Sequence, residues 1–235
     1  MHDKPPSPLP ARPGLPGAGR RAAPARRGWR RALGGAAAIV AGTTGAGAYT
    51  VTLTPAAPQT VYLQVGVGSF TNNYINGGQP ANNATINLVS TTVAAAAVGN
   101  GTAQAMTTNS SATQSFWDGF TFCTVPGQVY IGGFYRTTGA TTAAARVTAT
   151  VPAALVNAAG NTIPFSKIHW TSSGIGDAGA EPFPAGTFVA GGVQSVGAMS
   201  SNTWNESCLS FSYANNSVPA AGTFTGRVLY TLSSP

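Results

Sequence analysis

The alternation that decides the fold is clearest in Ala145-Arg-Val-Thr-Ala-Thr-Val151, where apolar side chains occupy every second position. A period of two is that of a β-strand with one face toward a core and the other toward solvent. Similar runs lie at residues 49–54, 61–67, 84–90, 120–125, 128–135, 163–170, 187–193, 208–213 and 223–232. About ten short strands bounded by Gly, Pro and Asn predict an all-β chain folded as an antiparallel β-sandwich.

Two local patterns refine this prediction. Residues 120–125 and 128–135 flank Pro126-Gly127, a turn dipeptide, which predicts a β-hairpin. Helix signals are weak, because residues 93–98 lack a cap, residues 151–159 contain Pro152, and neither segment has an apolar stripe of helical period. We therefore expect no more than a helical turn or two.

The charge is distributed unevenly along the chain. Residues 1–31 carry the whole net charge of +7, with eight basic residues against Asp3, and their many prolines predict a disordered leader. Residues 32–235 hold four bases and four acids. A nucleic-acid partner is therefore not expected, since the neutral part has no basic stripe that would bind phosphates.

An export signal is predicted ahead of the neutral part. Residues 32–48 are too short and too rich in glycine for a stable membrane span, which needs roughly 20 apolar residues. The basic run, the apolar segment and the small residues Ala46-Gly-Ala48 predict cleavage between Ala48 and Tyr49. Arg30-Arg31 leaves twin-arginine export open beside the general secretory route. We expect residues 49–235 to form the secreted domain, in a bacterial periplasm, at the cell surface or outside the cell.

The two cysteines agree with export. Cys123 and Cys208 both lie in the predicted secreted domain, and no third cysteine is left over. Outside the cytoplasm we expect them to form a disulfide with a Cα–Cα separation of roughly 4.4–6.8 Å. The alternative is a pair of free cysteines buried as small apolar residues.

Few residues suggest catalysis or metal binding. His169, with Asp118 or Asp177 and a serine, would supply a hydrolase triad, but no serine lies in a G-x-S-x-G turn. Asp177 and Glu181 lie in a Gly/Pro loop that would offer oxygen ligands to calcium, although the EF-hand spacing is absent. We expect a strand histidine, solvated acids, no cofactor and no enzyme.

The tryptophans are the candidate ligand-binding residues. Trp117, Trp170 and Trp204 would provide flat faces for sugar rings. Trp117 and Trp204 each lie just upstream of a cysteine, so the alternative is that both pack in the core beside the disulfide.

The C-terminal tract carries a resemblance to known proteins. Cys208-Leu-Ser-Phe-Ser-Tyr213 through Gly226-Arg-Val-Leu-Tyr-Thr-Leu232 resembles the last strands of secreted bacterial pilin-like and spore coat protein U-like sandwiches. The wider stretch from Ile163 resembles uncharacterised secreted bacterial proteins. The resemblance implies an immunoglobulin-like or pilin-like sandwich and subunits that assemble by strand addition.

We therefore expect a secreted, non-catalytic structural or adhesive surface protein. Residues 49–54 form the predicted exchangeable strand through which copies self-associate, because this edge carries no charge that would oppose pairing. A carbohydrate-binding module for a cell-surface glycan is the alternative function, and a secreted hydrolase is the third.

Overall fold

The structure, a computed structural model, describes residues 51–67, 87–139, 141–174 and 181–235, all within the unit Thr44–Pro235. The predicted leader, residues 1–31, and the apolar segment 32–48 lie outside the described residues. Within the described ranges there is no α-helix and no helix able to cross a membrane. Helical structure is limited there to two 3₁₀ turns, Ala95–Ala97 and Phe165–Lys167. The all-β prediction is confirmed.

The described residues form thirteen strands, more than the ten or so expected, because the runs 163–170 and 187–193 are each divided between two strands and three short strands, at 104–105, 107–108 and 154–156, lie outside the predicted runs. The strands are β1 (Thr60–Val65), β2 (Val89–Ser90), β3 (Gln104–Ala105), β4 (Thr107–Thr108), β5 (Val129–Arg136), β6 (Ala145–Val151), β7 (Ala154–Val156), β8 (Thr162–Pro164), β9 (Ile168–Ser173), β10 (Gly186–Thr187), β11 (Gly192–Met199), β12 (Thr203–Tyr213) and β13 (Leu229–Ser233).

Two antiparallel sheets form the body of the fold. The larger has the order β1-β5-β12-β9-β10, with β3 also paired to β12, and the smaller has the order β11-β6-β13. The alternation of β6 buries its apolar positions against the larger sheet, as the sequence predicts. The main core lies between the sheets and includes Ile131, Val147 and Leu209. The short pairs β2-β4 and β7-β8 lie outside these two sheets.

The larger sheet is covered on its second face as well. Its two smaller apolar clusters combine sheet residues with Leu53 before β1 and with Ala112, Phe122 and Cys123 of the loop before β5. Cys123 in this loop is bonded to Cys208 in β12 with a Cα–Cα separation of 5.5 Å, so the predicted disulfide is confirmed. We call residues 109–125 the flap.

The hairpin predicted about Pro126-Gly127 is wrong. Residues 120–125 are not a strand of the β5 sheet, because the N–H groups of Phe122 and Cys123 both donate to Thr113 O within the flap. The flap folds back over the sheet in this way, which lets Cys123 reach β12.

Other predicted strands are shorter than expected. Of the predicted run 84–90, residues 84–86 lie outside the described residues and Val89–Ser90 is a strand; the run predicted over 223–232 gives a strand that begins at Leu229 and ends at Ser233. In the segment 49–54, Tyr49 and Thr50 lie outside the described residues, and Thr52 forms an isolated bridge to Thr203.

Candidate functional site

A buried acid lies on the second face of the larger sheet, beneath the flap. β12 directs Trp204, Glu206 and Cys208 to this face, because side chains two residues apart share a face of a strand. Glu206 is only 4% exposed. Its Oε2 accepts hydrogen bonds from the Tyr130 hydroxyl at 2.7 Å and from Trp204 Nε1 at 2.9 Å. Both donors are uncharged, so they orient the carboxylate without neutralising it.

A glycine makes room for this contact. Gly132 of β5 lies opposite Glu206 of β12 on one side and opposite Gln64 of β1 on the other. A Cβ atom at Gly132 would lie 2.4 Å from the Tyr130 hydroxyl oxygen. The missing side chain therefore lets the Tyr130 hydroxyl extend along the strand to the carboxylate.

Tyr130 is held as a neutral donor. Burial raises the pKa of its phenol well above the ordinary value of 10.0, and the neighbouring Glu206 carboxylate raises it further. Phe116 packs against the Tyr130 ring at a centroid distance of 5.0 Å, and Phe122 packs edge-on at 6.1 Å. The phenol thus remains protonated at neutral pH and its ring is fixed by the flap.

A second polar pair extends the cluster toward β1. The Tyr62 hydroxyl donates to Gln64 Oε1 at 2.6 Å, and Gln64 Nε2 donates to Gly66 O at 2.8 Å. The Tyr62 ring stacks on Trp204 at 5.8 Å, which connects this pair to the acid through aromatic packing. Chemically, the whole cluster offers one fixed carboxylate in an apolar setting, which favours a cation as its partner.

The predicted ligand-binding tryptophans do not share one surface. Trp170 is buried in the main core, where its Nε1 donates to Pro184 O at 2.9 Å. Trp204 is buried on the opposite face of the larger sheet, and the half-buried Trp117 of the flap packs against it at 5.8 Å. The structure therefore brings Trp117 and Trp204 together and places Trp170 apart from them.

The predicted polar candidates are also dispersed. His169 contacts its cross-strand partner, with Nδ1 2.6 Å from Thr187 Oγ1. Asp118 accepts from the Phe120 N–H at 2.8 Å, and Glu181 Oε2 accepts from Ser207 Oγ at 2.9 Å.

The calcium candidate Asp177 lies outside the described residues. Within the described ranges, no group of three or more His, Cys, Asp or Glu side chains is arranged to hold a metal ion.

The sequence analysis missed Glu206, Tyr130 and Gln64. For Glu206 a signal was available, because it lies midway between Trp204 and Cys208 in an alternating strand, so period two puts all three on one face. For Tyr130 the signal is in Gly132-Gly133, where glycines inside a strand indicate close approach by another group. No family model, curated protein or solved structure matches this chain.

Proposed function

We propose that the chain is an extracytoplasmic, non-catalytic structural or adhesive subunit that self-associates when a strand of a second copy adds to the outer side of β1. The observation that carries this proposal is the uncharged outer edge of that strand, with which no described strand pairs. The disulfide and the export-like segment before Tyr49 support the extracytoplasmic location.

The register of β1 shows which of its backbone N–H and C=O groups are available to an added strand. Beyond the end of β1, the Gly66 N–H donates to Tyr130 O at 2.7 Å, in line with the β1–β5 register. Neighbouring residues in an antiparallel ladder direct their N–H and C=O groups to alternate sides. The backbone N–H and C=O groups of the even-numbered residues of β1 therefore point toward β5. Those of Val61 and Leu63 point away from it. In the part of the chain that the structure describes, no strand pairs with this outer side.

The composition of β1 leaves the edge unprotected. Thr60–Val65 contains no charged residue and no proline, the two features that commonly prevent edge strands from pairing. Among the described residues, the end of the strand is capped by Asn87, whose Nδ2 donates to Val65 O at 3.3 Å. β13 lies next to β1 and is also uncharged, and its Leu229 is 56% exposed. One flank of the sandwich therefore presents two uncharged strands.

β11, an edge strand of the smaller sheet, is hydrogen-bonded to a neighbouring segment of the chain. The Ala198 N–H of β11 donates to Pro182 O at 3.1 Å. The Gln194 side chain accepts from the Val189 N–H and donates to Thr187 O. Residues of the 182–189 segment thus form hydrogen bonds with polar groups of β11. The flank formed by β1 and β13 is therefore the better site for the addition of a strand.

The expected association is weak. The N–H and C=O groups of Val61 and Leu63 offer four hydrogen bonds, worth about 2–6 kcal/mol at 0.5–1.5 kcal/mol each. Immobilising two partners costs several kcal/mol, which side-chain contacts beside the new strand must offset. We expect a dissociation constant between about 1 µM and 1 mM, suited to a surface where many copies are held together.

The test is a proline at the outward-facing position. Val61→Pro removes an N–H that β5 does not use, and proline is tolerated in edge strands at such positions. Val61→Thr is the matched control, because it keeps the N–H and the branched Cβ. In sedimentation equilibrium of the exported protein, wild type and Val61→Thr should associate with rising concentration, while Val61→Pro should stay monomeric with an unchanged melting temperature.

Two results would contradict the proposal. One is a wild-type protein that stays monomeric at millimolar concentration. The other is a folded Val61→Pro variant that associates as wild type does. If deletion of residues 49–54 abolishes association and Val61→Pro does not, the N-terminal segment rather than β1 forms the contact.

A further inference from the structure

The outward-pointing backbone groups of β1 are arranged symmetrically about one residue. Val61 and Leu63 direct their N–H and C=O groups away from β5, and in the described part of the chain no strand pairs with them. Val65 has the same orientation, but its carbonyl already accepts from Asn87 Nδ2 at 3.3 Å. The strand therefore offers two residues, each with one donor and one acceptor, on either side of Tyr62.

The segment before β1 is already bonded within its own copy. The Leu53 N–H donates to Asn202 O at 2.8 Å, and Val51 O accepts from the Trp204 N–H at 3.0 Å. The Leu53 side chain is 6% exposed and belongs to an apolar cluster on the second face of the larger sheet. Residues 51–53 would have to break these contacts before they could pair with β1 of another copy, so a different strand is the better partner.

We propose that the added strand is β1 of a second copy, paired antiparallel with its counterpart about a two-fold axis at Tyr62. In this register Val61 of each copy lies opposite the partner's Leu63. Each opposed pair exchanges two hydrogen bonds, so the outward-pointing groups of both residues are used in both strands. The inference rests on the proposed function, because it names the strand that adds to β1.

The neighbouring two-fold registers are less complete. An axis at Leu63 brings in Val65, whose carbonyl is already bonded to a side chain. An axis at Val61 brings in Gln59, which lies before the first residue of the strand. The axis at Tyr62 uses the two available residues of each β1 and needs no others.

The side chains of β1 suit this register on both faces of the sheet. Val61 is 36% exposed and Leu63 packs against the main core, so the two Val–Leu pairs extend the apolar core across the contact. On the second face Tyr62 lies opposite the partner's Tyr62 in a non-hydrogen-bonded pair, where side chains are closest. Tyr62 also stacks on Phe134 at 5.7 Å, so the aromatic packing continues from one copy to the other. The strand has no charge, so no like charges oppose each other.

The contact is closed by its symmetry. Each β1 is both the added strand and the strand that receives it, so association through this edge ends at a dimer. The larger sheets of the two copies join into one sheet with the two β1 strands at its centre. The dimer presents every other surface twice, which suits a bivalent adhesive subunit.

The test is cross-linking directed to the proposed register. Val61→Cys and Leu63→Cys proteins are incubated with oxidised glutathione, each alone and in an equimolar mixture, at concentrations where the wild type associates. Opposed residues of a hydrogen-bonded pair have Cα atoms about 5.5 Å apart, within the roughly 4.4–6.8 Å range of disulfides. In either protein alone the new thiols lie diagonally, with Cα atoms about 9 Å apart. Thr150→Cys, exposed in β6, is the control for random collision.

The mixture should form a cross-linked dimer about 10-fold faster than either protein alone, and Thr150→Cys should be as slow as the single proteins. Equal rates for the mixture and for either protein alone would overturn the inference. Association through β1 that continues beyond a dimer in sedimentation equilibrium would overturn it as well.

A second measurement needs no substitution. In a sample that combines isotope-labelled and unlabelled wild-type protein, nuclear Overhauser effects between copies should join the Val61 methyls to the partner's Leu63 methyls. Their absence from an associated sample contradicts this inference alone. A wild-type protein that stays monomeric contradicts the proposed function itself, so the two failures are distinguishable.

Discussion

Gly132→Ala tests whether the buried cluster is arranged as described. The added Cβ would lie 2.4 Å from the Tyr130 hydroxyl oxygen and 2.7 Å from its Cζ, so the ring must move. The ring cannot move freely, since Phe116 and Phe122 pack against it. Losing the bond to Glu206 costs about 1.5–3 kcal/mol for a charged acceptor. Overpacking adds about 1–3 kcal/mol, so we expect the free energy of unfolding to fall by about 2.5–6 kcal/mol.

The assay is urea unfolding of the protein with its disulfide intact. Tyr130→Phe separates the two contributions, because it removes the hydroxyl and leaves the ring in place, and it should cost about 1.5–3 kcal/mol. Gly139→Ala is the control, since a Cβ there meets no atom within 4 Å. A Gly132→Ala protein within 1 kcal/mol of Gly139→Ala would refute the proposed role of Gly132.

Two further predictions concern side chains buried on folding. Asn215 is 0% exposed, and its side chain accepts a hydrogen bond from the Gly99 N–H and donates one to Ala97 O. Asn215→Ala should therefore lower the free energy of unfolding, measured in urea, by about 2–4 kcal/mol. The control Asn216→Ala, at an exposed residue, should change it by less than about 0.5 kcal/mol. Because the pKa of Tyr130 is raised in the folded state, its contribution to stability is fully present below pH 10 and decreases above it, as the unfolded chain alone releases the proton. Alkaline unfolding curves should therefore be shallower for Tyr130→Phe, and identical pH profiles would contradict this.

The elements that the sequence predicts well are those with one buried face. β6 matches its predicted range, Ala145–Val151, because a slip by one residue would expose all its apolar side chains. The disulfide was also predictable, since two cysteines in one predicted secreted domain allow a single pairing. In both cases the local sequence pattern agrees with the tertiary structure.

The elements that the sequence predicts poorly depend on contacts between residues that are far apart along the chain. Residues 120–125 alternate like a strand, yet the N–H groups of Phe122 and Cys123 donate to Thr113 O within the flap, and Cys123 is bonded to Cys208 of β12. Glu206 looks like an ordinary solvated acid in the sequence. Its burial depends on Tyr130, which reaches it only because Gly132 carries no side chain, and the sequence does not show that these strands are neighbours.

The most direct test of strand addition is residue-resolved amide exchange across β1 as a function of protein concentration. In the dilute protein, the amides of Tyr62 and Gln64 should be protected by β5, while those of Val61 and Leu63 exchange freely. At concentrations where the protein associates, the Val61 and Leu63 amides should become protected as well, giving a continuous protected strand. Association that leaves Val61 and Leu63 exchanging freely would contradict assembly through this edge.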